Sequence, residues 1–343
     1  MIAASSLPSA VSDITVTAIV AFVLSMALTP IYTTLAFRYR AWKKARYASV
    51  TGEKAKVFLK LHGPKHERNI PTMAGIVTVV AIAAVTLLLN LNRQQTYLPL
   101  FGTVAAGGIG LIDDLINIRG RGLGVAGLRS QLKFGLILAI ALTAGFYSYF
   151  KLGYTSINVP WLEQVNIGIW LIPLFALVII ATANAVNITD GLDGLAGGLV
   201  AIAFGTYAVI ALLQGHVGIA AFCTTVVGSV LAYTWFNIYP ARFFMGDVGS
   251  FALGTALGIV ALVTDTIFLL PVIGGMFVIE AGSSLLQVAS KKIFKRKIFK
   301  VAPIHHHFEA MGWPETKVTM RFWVLGSVFA VLGLAIAIVG GQI

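Results

Sequence analysis

Apolar residues in this chain fall in long unbroken runs, not in the alternation of a half-buried strand or the one-sided stripe of a surface helix. Ten runs stand out, near 14–36, 72–91, 98–113, 131–150, 167–186, 195–213, 217–236, 249–264, 266–290 and 321–341. A membrane-crossing helix needs about 20 consecutive apolar residues, and these runs reach or approach that length. The pattern predicts an all-α integral membrane protein of about ten transmembrane helices, a single polytopic domain over residues 1–343. The first run is long, has no basic segment before it and is followed by basic residues that retain it. It reads as a span and not as a cleavable signal peptide. Chemistry is expected in the polar stretches near 37–71, 113–131, 187–195, 237–249 and 291–320.

Composition sharpens this. Hydrophobic residues are 58% and charged residues 11% of the chain, against roughly 25% charged in a globular domain, and mean hydropathy is +0.88. Such a chain cannot cover a water-facing surface, which excludes a soluble enzyme and a disordered chain. The single cysteine, Cys223, lies within an apolar run, so no intrachain disulfide can form.

The net charge of +12 would suit a nucleic-acid partner, but its distribution argues otherwise. Of the 25 Lys and Arg, all but Arg93 and Lys151 fall after the first, third, seventh and ninth runs. The positive-inside rule makes that side cytoplasmic, and ten spans then put both termini outside. The basic excess orients the chain, and no nucleic acid is expected.

The acids were not used in that assignment. Asp113 and Asp114 close the third run, Asp190 and Asp193 follow the fifth in NITDGLDGLAGG, and Asp247 follows the seventh in FFMGDVGS. All five therefore reach the cytoplasmic face. Any one of them alone could be a helix cap or a solvated loop residue. Five together need a compensating cation, and Mg²⁺, which binds through one or two carboxylates plus substrate phosphates, suits them. Gly191, Gly194, Gly197 and Gly198 interleave with Asp190 and Asp193, and Gly246 and Gly249 flank Asp247. Glycines so placed let backbone N–H groups approach an anion; in lipid they also permit close helix packing.

Two further segments carry polar chemistry. In APIHHHFEAMGW, His305, His306 and His307 are consecutive, so their side chains diverge and do not easily share one zinc ion. Near a phosphate site they can donate hydrogen bonds or carry charge. In GPKHERNIPTMAG, Pro71 fits a helix start and Thr72 can cap it or contact phosphate, with Lys65, His66 and Arg68 adding cationic reach. Separately, Glu280 sits well inside the ninth run. There an ionisable group is costly and is either functional or a buried, protonated structural acid.

At these segments the chain resembles the polyprenyl-phosphate sugar-1-phosphate transferases. Asp113 and Asp114 match the family's aspartate pair. Asn184, Asn187, Thr189, Asp190, Gly191, Asp193 and Gly194 match its NxxNxTDGxDG segment. Phe236, Asn237, Pro240, Phe244, Met245, Gly246, Asp247, Gly249 and Ser250 match FNxxPAxxFMGDxGS. The PIHHHFE segment and the following GWPETK resemble the branch that handles muramoyl-pentapeptide, and they separate it from relatives using N-acetylglucosamine. The resemblance runs in order along essentially the whole chain. Asn117 and Glu67 stand where the family has lysines, and Ile70 where it has a threonine; Arg68, Arg129 and Lys133 are the candidates for the missing cationic help.

The resemblance implies transfer of phospho-MurNAc-pentapeptide from UDP-MurNAc-pentapeptide to undecaprenyl phosphate, giving lipid I and UMP, in the bacterial cytoplasmic membrane. It implies Mg²⁺ on Asp247 with Asp193 as helper. Asp113 or Asp114 orients or deprotonates the acceptor phosphate, or attacks phosphorus covalently. His305, His306 and His307 hold phosphate or sugar groups. Thr72, Lys133, Asn187, Asp190, Asp193, Asn237 and Phe244 line the substrates. Membrane lipid is a partner, and the segment 151–166 and the end of the last run are candidates for a homodimer contact. Two other functions compete. An N-acetylglucosamine-1-phosphate transferase lacks the histidine segment. An ion-coupled transporter places its acids near the bilayer midplane on broken helices, not at one face.

Overall fold

A computed structural model describes residues 7–42, 69–92, 94–120, 127–162 and 164–343. The helices are α1 (Leu7–Arg38), α2 (Gly75–Leu89), α3 (Tyr97–Arg119), α4 (Ser130–Phe150), α5 (Leu171–Thr189), α6 (Leu195–Leu213), α7 (Val217–Asn237), α8 (Gly246–Val263), the four-residue α9 (Leu270–Ile273), α10 (Gly275–Phe294), the short α11 (Ile304–Ala310) and α12 (Glu315–Val339). A small antiparallel hairpin pairs β1 (Ser156–Ile157) with β2 (Val165–Asn166). The protein is an all-α integral membrane protein. Among the described residues α1, α3, α4, α5, α6, α7, α8 and α12, eight helices, are long and apolar enough to cross a membrane.

Two of the ten expected spans take another form. The second run yields only the 15-residue α2, about 22 Å of helix against about 30 Å of hydrocarbon. The first residues of the run stay outside the helix because protein backbone satisfies them: Ala74 N donates to Phe244 O at 3.0 Å, Gly75 N to Met245 O at 2.9 Å, and Phe244 N to Pro71 O at 2.8 Å. Non-helical backbone at membrane depth is tolerated where protein supplies such partners. The ninth run divides at Gly274 into α9 and α10, and α10 carries four polar residues on one face. The third run, expected to end at its acids, continues as α3 to Arg119; Asp113 and Asp114 lie inside the helix.

The bundle is organised around α8, in which every residue from Val248 to Val263 is buried. Glycines let its neighbours come to backbone contact. A methyl at Gly110 of α3 would overlap Asp247 O, and one at Gly254 would meet Thr182 O of α5 at 2.6 Å. Close packing of this kind replaces the hydrophobic effect as the adhesive between helices in lipid. On another flank α1 lies along α7, where Ser25 Oγ and Ser229 Oγ share a buried hydrogen bond of 2.7 Å.

The end of the bundle away from the acids is closed by polar ties. Gln214 Nε2 donates to Thr264 O and Gln342 O, and Asn158 N and Gln164 Nε2 donate to the two carboxylate oxygens of Asp265. Burial pushes the Asp265 carboxyl above its ordinary value, partly offset by those bonds. Burial holds the imidazole of His216 below its own. Both line a cavity of about 280 Å³ with Tyr154 and Gln164.

Candidate active site

Two helices bring the acids together. Asp113 and Asp114, on α3, are 1% and 0% exposed. Asp247 stands in the first turn of α8, where unpaired backbone N–H groups and the helix dipole favour a negative side chain. Ligand atoms of the three lie within 4.8 Å of one another. The turn that brings Asp247 in depends on Gly246, whose φ of +75° suits glycine. A methyl there would overlap Asp114 Oδ2.

Lys133, near the start of α4, holds the group together. Its Nζ lies 2.8 Å from Asp113 Oδ2 and 2.7 Å from Asp247 Oδ2, and it sits over the ring of Phe251. The other oxygen of Asp113 accepts from Leu128 N at 2.6 Å, and Asp114 Oδ2 accepts from Val248 N at 3.2 Å. Asn187, at the end of α5, donates to Ser250 Oγ at 2.8 Å and to Asp247 Oδ1 at 3.4 Å. Thr72 borders the acids: it is buried, close to Gly246, and its carbonyl accepts from Tyr32 Oη at 2.7 Å.

A second group surrounds the turn between α5 and α6. Gly194, at φ +77°, donates its N–H to Asn237 Oδ1, while Asn237 Nδ2 donates to Phe243 O. Asp193 Oδ2 accepts from Ala241 N at 3.0 Å. Asp193 therefore braces this turn, and among the described residues the acids grouped with Asp247 are Asp113 and Asp114. Asp190 caps the end of α5 and is half-buried. Phe244 is half-buried beside the segment before α2.

The histidines divide. His305 is fully buried, with Nδ1 2.7 Å from Glu280 Oε2, and a methyl at Gly191 would overlap its Nε2. His306 Nδ1 lies 2.7 Å from Glu309 Oε2, and His307 Nδ1 accepts from Lys300 N. Among the described residues none of the three joins the carboxylate group. Of the candidates for the missing cationic help, Arg68 lies outside the described residues, as do Lys65, His66 and the substituted position Glu67.

Glu315, marked in the sequence only as part of the GWPETK segment, stands on one face of α12 with Thr319 and Trp323. Glu315 Oε1 accepts from Asp193 N at 2.6 Å, Thr319 Oγ1 donates to Asp193 O at 3.2 Å, and Trp323 Nε1 donates to Gly194 O at 3.2 Å. Their spacing of four is that of one helix face. This face grips the glycine-rich turn from behind. The spacing is visible in the sequence, but nothing there indicates the turn it meets.

Chemically, the first group is an all-oxygen donor set with a built-in cation, which fits a hard divalent ion better than zinc. The second is a backbone turn with hydrogen-bonding side chains on either side.

Comparison with known proteins adds independent information. Residues 96–265 match the model of glycosyl transferase family 4. A protein of Chloroflexus aurantiacus named phospho-N-acetylmuramoyl-pentapeptide-transferase is 39% identical over 335 residues, 94% of this chain and 88% of the relative. Proteins of the same name from Geobacillus thermodenitrificans and Anoxybacillus flavithermus are 42% and 38% identical, over 82% and 94% of this chain and 88% and 97% of their own lengths.

Proposed function

The chain belongs to the phospho-N-acetylmuramoyl-pentapeptide transferase family, and from that membership we propose that it transfers phospho-MurNAc-pentapeptide from UDP-MurNAc-pentapeptide to undecaprenyl phosphate, forming lipid I and UMP. The observation that carries the reading is the meeting of Asp113, Asp114, Asp247 and Lys133 at one end of a bundle of membrane-length helices. A nucleotide from water and a phosphate on a lipid can meet only at a membrane surface. We place this end of the bundle at the cytoplasmic face of a bacterial inner membrane.

In the proposed reaction an oxygen of the acceptor phosphate attacks the sugar-bearing phosphorus. The bridge to the second phosphorus breaks, and UMP leaves with the bridging oxygen. A phosphate monoester has a second pKa near 6, so the acceptor needs alignment and charge control more than deprotonation. Asp114 and Asp113 take that part. Both oxygens of Asp113 are engaged, by Leu128 N and Lys133 Nζ. That suits an orienting group better than a nucleophile and favours direct transfer over a covalent intermediate.

Mg²⁺ is assigned to Asp247 with Asp113 and Asp114. When bound, the ion offsets the charge of the donor pyrophosphate and the leaving UMP. Lys133 keeps the carboxylates from repelling one another, and Asn187 fixes the rotamer of Asp247. Asn237, Asp190 and Asp193 shape the turn where the nucleotide is held, Thr72 and Phe244 border the acceptor phosphate, and the histidines of α11 face the sugar and phosphate groups.

The test is UMP release and lipid I formation by the purified protein, with and without Mg²⁺, in wild type and Asp247→Asn. Mg²⁺-dependent formation of both products, lost in the variant, is the expected result. A folded, lipid-supplied wild type that forms neither refutes the assignment. Activity that survives in Asp247→Asn refutes the metal site.

A further inference from the structure

α10, the second half of the divided ninth run, carries a polar stripe. Glu280, Ser283, Gln287 and Ser290 recur at spacings of three and four, on one face, and all are buried. Ser290 Oγ donates to Arg296 O at 2.9 Å. Gln287 Oε1 accepts from Ile298 N and Phe299 N, and its Nε2 donates to Phe299 O. Ser283 Oγ accepts from Ile304 N at 2.9 Å. The stripe thus lays residues 296–304 along the helix by backbone contacts.

Glu280 ends the stripe and differs from the rest, because it meets a side chain. Its Oε2 lies 2.7 Å from His305 Nδ1, and neither side chain has exposed surface. Its Oε1 has no hydrogen-bond partner. A residue whose only task was to anchor the loop would serve better as a neutral amide or hydroxyl, like its three neighbours in the stripe. A carboxylate buried here is costly and calls for another reason.

The geometry points to Glu280 as a positioning residue for the transfer reaction. It accepts the Nδ1 proton of His305 and so fixes the ring with Nε2 presented to the Gly191 turn. This rests on the transferase reading above, which places the donor at that turn. The partner of one ring nitrogen decides the protonation of the other: with Nδ1–H held by the carboxylate, Nε2 is the acceptor nitrogen, and it lies against Gly191. Among the described residues the other titratable ring in contact is His306, 4.1 Å away between centroids and bonded to Glu309. Asp190 and Asp193 flank Gly191 on the turn.

The test measures kcat, donor KM and thermal midpoint for the full-length protein, with acceptor lipid, in wild type, Glu280→Gln, Glu280→Asp and Ser283→Ala. Ring-nitrogen spectra of ¹⁵N-histidine-labelled wild type run beside it, with His305 assigned by its loss in His305→Asn. Outer partners of this kind are worth about 10–100-fold in activity; Glu280→Gln is expected to lose that in kcat, with little change in donor KM. Glu280→Asp, which keeps the charge, recovers part of it. Ser283→Ala removes the anchor at the adjacent residue and lowers the midpoint, with kcat close to wild type. Unchanged kcat in Glu280→Gln overturns the proposal, and so does an equal kcat loss in Ser283→Ala, which would make the seam merely structural. A His305 Nδ1 that carries no proton overturns it even if the wild type makes no product, an outcome that separately refutes the transferase reading.

Discussion

Replacing Lys133 by Gln removes the cation that bridges two acids while keeping much of the side chain's length. Its ammonium touches Asp113, with a side chain 2% exposed, and Asp247, with one 16% exposed. Three carboxylates within 4.8 Å then face one another without it. Two unit charges at that separation, with an effective dielectric of about 20, repel by about 3.5 kcal/mol. Removing one member of a buried ion pair costs about 3–5 kcal/mol. Asp247 lies at the water edge, so the lower figure, about 3 kcal/mol, applies to the metal-free protein at neutral pH. A divalent cation supplies the missing charge, and at 100 times its Kd returns about 2.7 kcal/mol. Lys133 competes for the same oxygens, so Mg²⁺ binds the variant more tightly than it binds wild type. Thermal unfolding of both proteins in detergent, in EDTA and across a Mg²⁺ titration, measures this. The variant should melt lower in EDTA and gain more from Mg²⁺. Equal midpoints in EDTA, or equal gains from Mg²⁺, would refute the reasoning.

Two further outcomes are expected. Gly198→Ala drives a methyl into the Trp323 indole, an overpacking worth about 1–3 kcal/mol, and raises donor KM by shifting the Trp323–Gly194 bond. Adding Trp323→Phe should recover part of the stability, and strictly additive losses in the double variant would count against contact there. His216 is held below its ordinary value of 6.5 by burial, so the fold favours its neutral form; that stability is present above about 6.5 and is lost as pH falls through the folded value. His216→Gln should therefore lose less thermal stability than wild type between neutral and mildly acid pH. Asp265, raised by burial, works with the opposite sign in both proteins, so the difference between their curves is the measurement. A constant difference would refute the assignment.

The membrane architecture was legible because lipid imposes one rule on every span: a long apolar stretch with its backbone satisfied internally. The rule reads length and hydropathy, so it locates α5, α6 and α7 to within a few residues. It errs where protein, not lipid, is the solvent. The residues before α2 belong to the apolar run, yet the N–H groups of Ala74 and Gly75 donate to Phe244 O and Met245 O and not to a preceding helical turn. Asp113 and Asp114 looked like the end of a span, but they are buried against α8 and beside Lys133, so α3 runs on past them. Charge marks a boundary only when water is what receives it.

The site was legible in its residues and not in its partnerships. Asp113, Asp114 and Asp247 could be placed on one face because each follows an odd-numbered run, a consequence of topology alone. Lys133 was a candidate for cationic help, but that it bridges Asp113 and Asp247, and that the Asp193 carboxylate turns to the backbone, depends on how the chain folds around Gly194. Ala241 N captures the Asp193 carboxylate. Glu315 reaches Asp193 across 122 residues of chain, and Glu280 reaches His305 across 25. In both cases an acid distant in sequence sets the geometry of a segment already marked as chemical. The most informative polar residues beside the acidic and histidine segments are therefore those on helix faces at spacings of three and four: 280, 283, 287 and 290, or 315, 319 and 323. An apolar span gives up helix-face surface to polar groups only where another segment comes to use them.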